Sequence, residues 1–330
     1  MQFAIESWAP EYGVAADGSQ LDEVDNVVDI DVEVPADDWV PITPSPEQQP
    51  ERLLFVDGVR RIDARVWFAD GDLTRNGVCA SVAAGSVVCT PGAARVDTVA
   101  VRRGFFALSA PTAGPIVTGH GTYRYVPCPA DTPEDLYLAI HAQMTSLEAT
   151  VAHEHDAELV VFDGPLRGRN DPAAVGYVKT QHVQYLPDAQ QRVLGRLGDG
   201  QRTPVFLIGG RGFTRYSWYL RLPGPRAQPL SGVVRCEIVG LGAAAAAVAR
   251  ADQVSAVLPR FASAPHKDPR APQNLYPIAG LEQQLRHRLG DQLFLERALR
   301  RAAGQPSPTS PSVSASAAGT AVMSDDRGNR

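Results

Sequence analysis

From residue 53 to residue 128 short apolar runs alternate with turn residues: "LLFVDGV", "RIDARVWFA", "GVCASVAAGSVVC", "RVDTVAVRRGFFALS" and "TYRYVPC". That rhythm predicts a meander of strands. The pattern then changes period. "TPEDLYLAIHAQMTSLEATVAHEHD" opens with Thr132 as N-cap, Pro133 at the first position and acids in the first turn. Leu136, Ile140, Met144, Leu147 and Val151 follow at helical spacing. "AELVVFDGPLRG" predicts a buried strand over 158–162 ending at Asp163-Gly164-Pro165, and "AAVGYVKTQH" a further short strand. "TPVFLIGG", "YSWYLRLPG" and "SGVVRCEIVG" continue the sheet, with helices near 242–258 and 278–302. Strands first, then a helix, then strands mixed with helices, without an internal repeat, predict one α/β domain built on a mixed sheet.

Outside that body the pattern weakens. Residues 1–50 read as an acidic arm with a proline-rich connector, "PITPSPEQQPE"; within it "VVDIDVEVP" alternates apolar and acidic and could add one edge strand. Residues 51–303 form the expected domain, and 304–330 a low-complexity, disordered tail. Net charge is −6, which at first counts against a nucleic-acid partner. Its distribution changes that. Residues 1–50 hold 12 acidic residues and no Lys or Arg, leaving 25 of the 37 acidic residues against all 31 basic ones, a surplus of six on the remainder. A basic body suits a polyanion, and an acidic arm folded over it would restrain DNA binding. Four scattered cysteines without a CxxC pair argue against structural zinc or a disulfide framework and fit a reducing cytoplasm. No run is long enough to span a membrane, and the N-terminus lacks the pattern of a secretion signal.

Three carboxylates stand out by position. Asp57 in "FVDG" and Asp163 in "VFDG" each follow an apolar run and precede glycine; Glu148 borders the apolar stripe of the long helix, beside Leu147. If the two strands are neighbours, both aspartates lie at one sheet edge. Taken singly, Asp-Gly is common turn chemistry, and "FVDGVRR" reads equally as a hairpin corner. Together the three suit a hard, oxygen-loving cation, Mn²⁺ or Mg²⁺, and metal-assisted phosphodiester cleavage. Lys179 in "VGYVKTQH" is one of two lysines in a chain with 29 arginines and is suited to stabilising phosphoryl charge. Arg60, Arg61, Arg167 and Arg169 flank the aspartates and, with His182, are candidates for binding nucleic-acid phosphates. His153 and His155 close the long helix, and Glu237 receives no role. "LIGGRGF" lacks the GK[ST] of a P-loop, and no GxSxG is present.

In this order, "FVDGVRRIDARV", "SLEATVAHEHDAELVVFDGPL", "VGYVKTQH", "YLRLPG…VVRCEIVG" and "QNLYPIAGLEQQLRHRLGD" resemble the blocks of the NurA nuclease family, across residues 52 to 302. The resemblance implies an RNase H-like core, manganese-dependent 5′-to-3′ exonuclease and single-strand endonuclease action on DNA, and a place in DNA end resection. It also implies a homodimer working with a hexameric HerA/FtsK-like ATPase. Asp57, Glu148 and Asp163 match the family's metal carboxylates, and Tyr276 and Pro277 its "YP". The family pattern has a histidine eight residues past that tyrosine. Here Gln284 stands there, and His287 lies one turn later. That departure motivates a second possibility, a non-catalytic adaptor that docks on a DNA translocase. A third is an RNA-directed nuclease of similar fold.

Overall fold

The computed structural model describes residues 1–5, 27–153, 156–166, 168–180, 183–210, 213–226, 228 and 230–304. The expected tail, and with it His155, Arg167 and His182, lies outside the described residues.

Two short strands, β1 (Phe3–Ile5) and β2 (Val27–Asp29), precede three long ones: β3 (Leu53–Asp70), β4 (Leu73–Thr90) and β5 (Ala93–Leu108). These three pair antiparallel in sequence, turning at Gly71 and Gly92, whose φ values of 62° and 80° a side chain resists. β6 (Ile116–Thr118) and β7 (Gly121–Cys128) follow, then α1 (Pro133–His153), capped by Thr132 Oγ1, which accepts from the Asp135 N–H at 3.1 Å. α1 crosses over to β8 (Leu159–Asp163), and β8 leads to β9 (Ala174–Val178); both run parallel to the strand beside them, β8 against β3 and β9 against β8. The order β5-β4-β3-β8-β9, three antiparallel strands and then two parallel to the first, is that of an RNase H-like core. β10 (Phe206–Gly210), β11 (Phe213–Arg221) and β12 (Val233–Val239) extend it beyond β9, with β2 at that edge.

Side chains alternate across β3. Leu53, Phe55 and Val59 pack with α3 (Ala244–Val257) and α4 (Tyr276–Arg288); Leu54 and Val56 pack with Ile140, Met144 and Leu147 of α1. The protein is therefore a mixed α/β fold with a large sheet covered by helices on both faces.

Four features depart from the reading of the sequence. Asp57-Gly58 is no corner: β3 runs straight through it, paired Asp57↔Gly85 and Gly58↔Ala84. α2 (Asp188–Arg196) was not anticipated, because its short polar segment buries only Gln190, Val193 and Leu194. The helix expected over 278–302 is two, α4 and α5 (Gln292–Ala303); Gly290 at φ 83° ends the first, and Asp291 caps the second through the Phe294 N–H at 2.8 Å. Part of the acidic arm is built into the domain. β2 supplies the expected edge strand on β10, Trp39 is buried, and Glu33 accepts from both terminal nitrogens of the buried Arg202 at 2.8 and 2.9 Å. Among the described residues no helix is long and apolar enough to cross a membrane.

Candidate functional site

Beyond Val56↔Phe162 the parallel pairing of β3 with β8 stops. Asp57 and Asp163 are the next residue on each strand, so the same register sets them side by side. Alternation turns both towards the face that carries α3 and α4, since Phe55 and Val161, two residues before them, belong to that core. Lys179, the residue just after β9, follows Tyr177 with the same parity, and its Nζ donates to Asp163 Oδ2 at 2.7 Å. The sequence-level pairing of "FVDG" with "VFDG" thus becomes a physical neighbourhood at the ends of the parallel strands.

Asp57 is almost wholly buried, and its side chain's one hydrogen bond among the described residues is local, with the Gly58 N–H donating to Oδ1 at 2.7 Å. Burial pushes its carboxyl well above the ordinary carboxylate range. The charge of Asp163 pushes it further, Lys179 opposes, Glu148 adds to the rise, and the Gly58 N–H lowers it. Negative charge at this point is under-compensated.

Glu148 arrives from the other face, on α1. Gly58 admits it: a methyl at Gly58 would collide with Glu148 Oε1 and lie 2.8 Å from Met144 Cγ. The glycine that looked like turn chemistry serves close approach instead. Glu148 is ion-paired with Arg169, whose guanidinium lies 4.3 Å from the centre of the Phe162 ring. Arg169, expected among the phosphate binders, is therefore the resident cation of Glu148, as Lys179 is that of Asp163.

Several contributors were invisible in the sequence. Asn274, fully buried just before α4, accepts from Lys179 Nζ through Oδ1 at 2.7 Å and donates to Asp268 Oδ2 at 2.6 Å. The chain Asp268–Asn274–Lys179–Asp163 fixes where the ammonium points. Glu237 accepts from the Leu166 N–H at 2.7 Å and pairs with Arg235, so this buried carboxylate holds the loop that follows Asp163. The only local signal was a charged residue inside the apolar run "VVRCEIV".

The other candidates lie elsewhere. Arg60 stacks on Tyr137 of α1, 4.5 Å from the ring centre, and bonds to its hydroxyl. Arg61 pairs with the buried Asp63 at 2.8 Å and donates to the carbonyls of Gly290 and Leu289, closing the C-terminal end of α4. Tyr276, half-exposed at the start of α4, accepts from the Ala264 N–H at 3.1 Å, with Lys267 Nζ 5.2 Å from its ring. His287 is exposed near the far end of α4, eleven residues and roughly 16 Å of helix rise from Tyr276.

The all-oxygen donor set of Asp57, Asp163 and Glu148 fits a hard divalent cation, which would supply the charge that Asp57 lacks. Among the described residues no three His, Cys, Asp or Glu side chains are already grouped to hold one. Two of the three carboxylates lie on side-chain cations.

The fold is that of an α/β protein with RNase H-like strand order, with two aspartates side by side just past the paired part of its parallel strands. No known family profile matches the chain, and no curated protein matches it. Among solved structures it is similar to the NurA nuclease from Sulfolobus solfataricus, 12% identical, with a TM-score of 0.48 over 81% of this chain and 89% of that one. It is also similar to the endonuclease V of Bacillus subtilis (13% identity, TM-score 0.36, 78% and 88% covered). The catalytic domain of human endonuclease V is a third (19%, 0.34, 74% and 85%).

Proposed function

We propose that the protein is a metal-dependent DNA nuclease in which Asp57, Asp163 and Glu148 hold Mn²⁺ or Mg²⁺. The observation that carries the reading is the shared register of Asp57 and Asp163 on adjacent parallel strands, with a lysine ammonium on the second carboxylate. A divalent cation bound there supplies Lewis acidity to a phosphodiester and to the attacking water. The chain's own groups do the rest. Buried Asp57, beside Asp163 at the strand ends, would hold the cation. Lys179, aimed by Asn274, donates to the phosphoryl oxygen on which charge develops. Glu237, accepting from the Leu166 N–H, fixes the loop that follows Asp163. The order of the sequence blocks extends the proposal to 5′-to-3′ exonuclease and single-strand endonuclease action in DNA end resection. A homodimer and a HerA/FtsK-like ATPase would be its partners.

The test is cleavage of single-stranded DNA with Mn²⁺ by wild type and Asp57→Asn. We expect loss of at least about a hundredfold, the usual scale for removing one group from a preorganised site; equal activity would exclude this centre. The Arg169–Glu148 pair and the remote His287 favour the second reading, an adaptor of the same fold. Metal titration separates the two: a nuclease gains melting temperature with Mn²⁺, an adaptor does not.

A further inference from the structure

On the opposite flank of α1 from Arg60, a cleft of about 440 Å³ opens between α1 and the junction of β5 with β7. It is lined by Val101, Arg102, Arg103, Thr122, Arg124 and Gln143. Its volume is that of a small-ligand site. Its chemistry is one-sided: three guanidiniums, a hydroxyl and an amide, with no carboxylate.

The arginines are not consumed by the fold. Arg102 and Arg124 are exposed and form no hydrogen bond or ion pair among the described residues. Arg103 Nη2 donates to the Leu289 carbonyl at 3.1 Å, but its Nε is buried without a hydrogen-bond partner, and Gln143 Oε1 is orphaned likewise. Rotation of the Gln143 amide would offer its N–H₂ group to an acceptor in the cleft. Strand pairing sets the spacing. Gly104 is the residue of β5 opposite Arg124, so Arg102 and Arg124 are diagonal neighbours, and both turn to the face of α1. Gly104 lies between them, and the buried Phe106 ring takes the space of its missing side chain: a methyl there would lie 2.5 Å from Phe106 Cε2 and 3.2 Å from Gln143 Oε1. Arg102 and Arg124 thus place two like charges on one face with no counter-charge among the described residues, while Arg103 turns to the other face and the carbonyl end of α4; an anion between the first two would relieve their repulsion. Guanidinium forks match the oxygens of a phosphate.

We infer that this cleft is a phosphate-binding subsite, separate from the carboxylate cluster and filled by the phosphate of a nucleic-acid strand or of a free nucleotide. It rests on the charge and shape of the cleft and does not need the carboxylates to be catalytic. The experiment uses the full chain carrying Asp57→Asn, with and without Arg102→Ala/Arg124→Ala. Single-stranded oligonucleotide binding is read by anisotropy across a salt series, and melting temperature is read against inorganic phosphate and deoxythymidine monophosphate. If a strand occupies the cleft, the double change flattens the salt slope by about 1.4 and weakens binding on the order of twentyfold near 0.1 M salt. Arg102→Lys/Arg124→Lys restores most of the slope, because the charge returns. If a free phosphate occupies it, phosphate or nucleotide raises the melting temperature of the parent and not of the double variant, while the slope stays. Unchanged slope together with no phosphate-dependent shift overturns the inference. Both arginines are exposed, so the melting temperature without ligand serves as the folding control. Cleavage by the wild type is scored separately, so failure of the nuclease reading and failure of the subsite give different results.

Discussion

Gly58→Ala is the sharpest probe of how the site is assembled. The added methyl would collide with Glu148 Oε1, lie 2.8 Å from Met144 Cγ and stand 3.1 Å from Glu148 Cδ. The β3 backbone cannot retreat, since Gly58 is paired with Ala84 on β4. Either α1 shifts or Glu148 swings away. Shifting α1 disturbs Ile140, Met144 and Leu147, which pack on Leu54 and Val56. Overpacking of that kind costs about 1–3 kcal/mol, against at most about 0.8 kcal/mol gained by burying one more carbon. With roughly 2–4 °C per kcal/mol for a domain of this size class, that net cost of up to about 2.2 kcal/mol should lower the melting temperature by up to about 9 °C. If Glu148 swings instead, the temperature moves less, but the carboxylate leaves β3 and Mn²⁺ binding weakens. The assay is therefore a melting curve with and without Mn²⁺ on wild type and variant. One of the two readouts must move. A variant that melts like the wild type and shows the same Mn²⁺-induced shift would refute the claim that Glu148 reaches the aspartates through the space Gly58 leaves.

Four further outcomes follow from the geometry. In chelator, Asp57→Asn should be more stable than wild type, and the advantage should depend on pH: a carboxyl whose folded pKa is raised contributes stability below the unfolded value near 3.8 and loses it as pH rises through the folded value. The gap in melting temperature should thus be small in acid and widen towards neutral pH; a constant gap would refute the burial argument, and Mn²⁺ should reverse the order of the two proteins. Asn274→Ala should cost about 1–3 kcal/mol in urea unfolding, because Asp268 loses a buried donor, and should lower turnover more than substrate affinity; Asn274→Asp, which restores an acceptor for Lys179 but places a charge beside Asp268, should recover little stability. Trp39→Ala should cost about 3–5 kcal/mol, since the ring is buried beside Phe206 and its Nε1 donates to the Ile30 carbonyl at 3.0 Å; a loss below 1 kcal/mol would mean that 27–50 is a detachable arm after all. Arg61→Ala should reduce stability without changing the salt dependence of DNA binding, because that guanidinium is spent on Asp63 and the end of α4; a flatter salt slope would return it to the phosphate binders.

The order of elements was legible because the hydrophobic period changes cleanly from two to 3.6 at Thr132 and back at Leu159. Asp57 and Asp163 were legible for a related reason: the same four-residue pattern, apolar-apolar-Asp-Gly, occurs on two strands that turn out to be neighbours. What failed was local chemistry with two meanings. Asp-Gly specifies a corner only when nothing pairs with it, and its pairing with Gly85 and Ala84 depends on β4, more than twenty residues on. Arg169 looked like a free phosphate ligand because Glu148 is remote in sequence; Arg61 did because the α4 terminus is remote, and because its near partner Asp63 gave no sign of being buried beside it. Asn274 lies ninety-five residues from the lysine it holds, a separation across which one sequence carries no signal.

The two faces of the sheet explain why the site needs this arrangement. Alternation puts Asp57 and Asp163 on the face of α3 and α4, and a carboxylate from α1 belongs to the opposite face. Within a paired sheet the two sets would be separated by backbone. Glu148 comes up against β3 where the pairing of β3 with β8 has ended, at Val56↔Phe162, one residue before both aspartates, and where β3 carries a glycine. The end of the ladder opens the slot, and the missing side chain lets Glu148 reach its rim. Lys179 and Arg169 then hold two of the three carboxylates from opposite faces and leave Asp57, as buried as Glu148, without an ion pair among the described residues. A divalent cation would bind most strongly beside the carboxylate for which no side-chain cation is provided, so metal affinity should be governed first by Asp57 and only second by Glu148, which must first release Arg169.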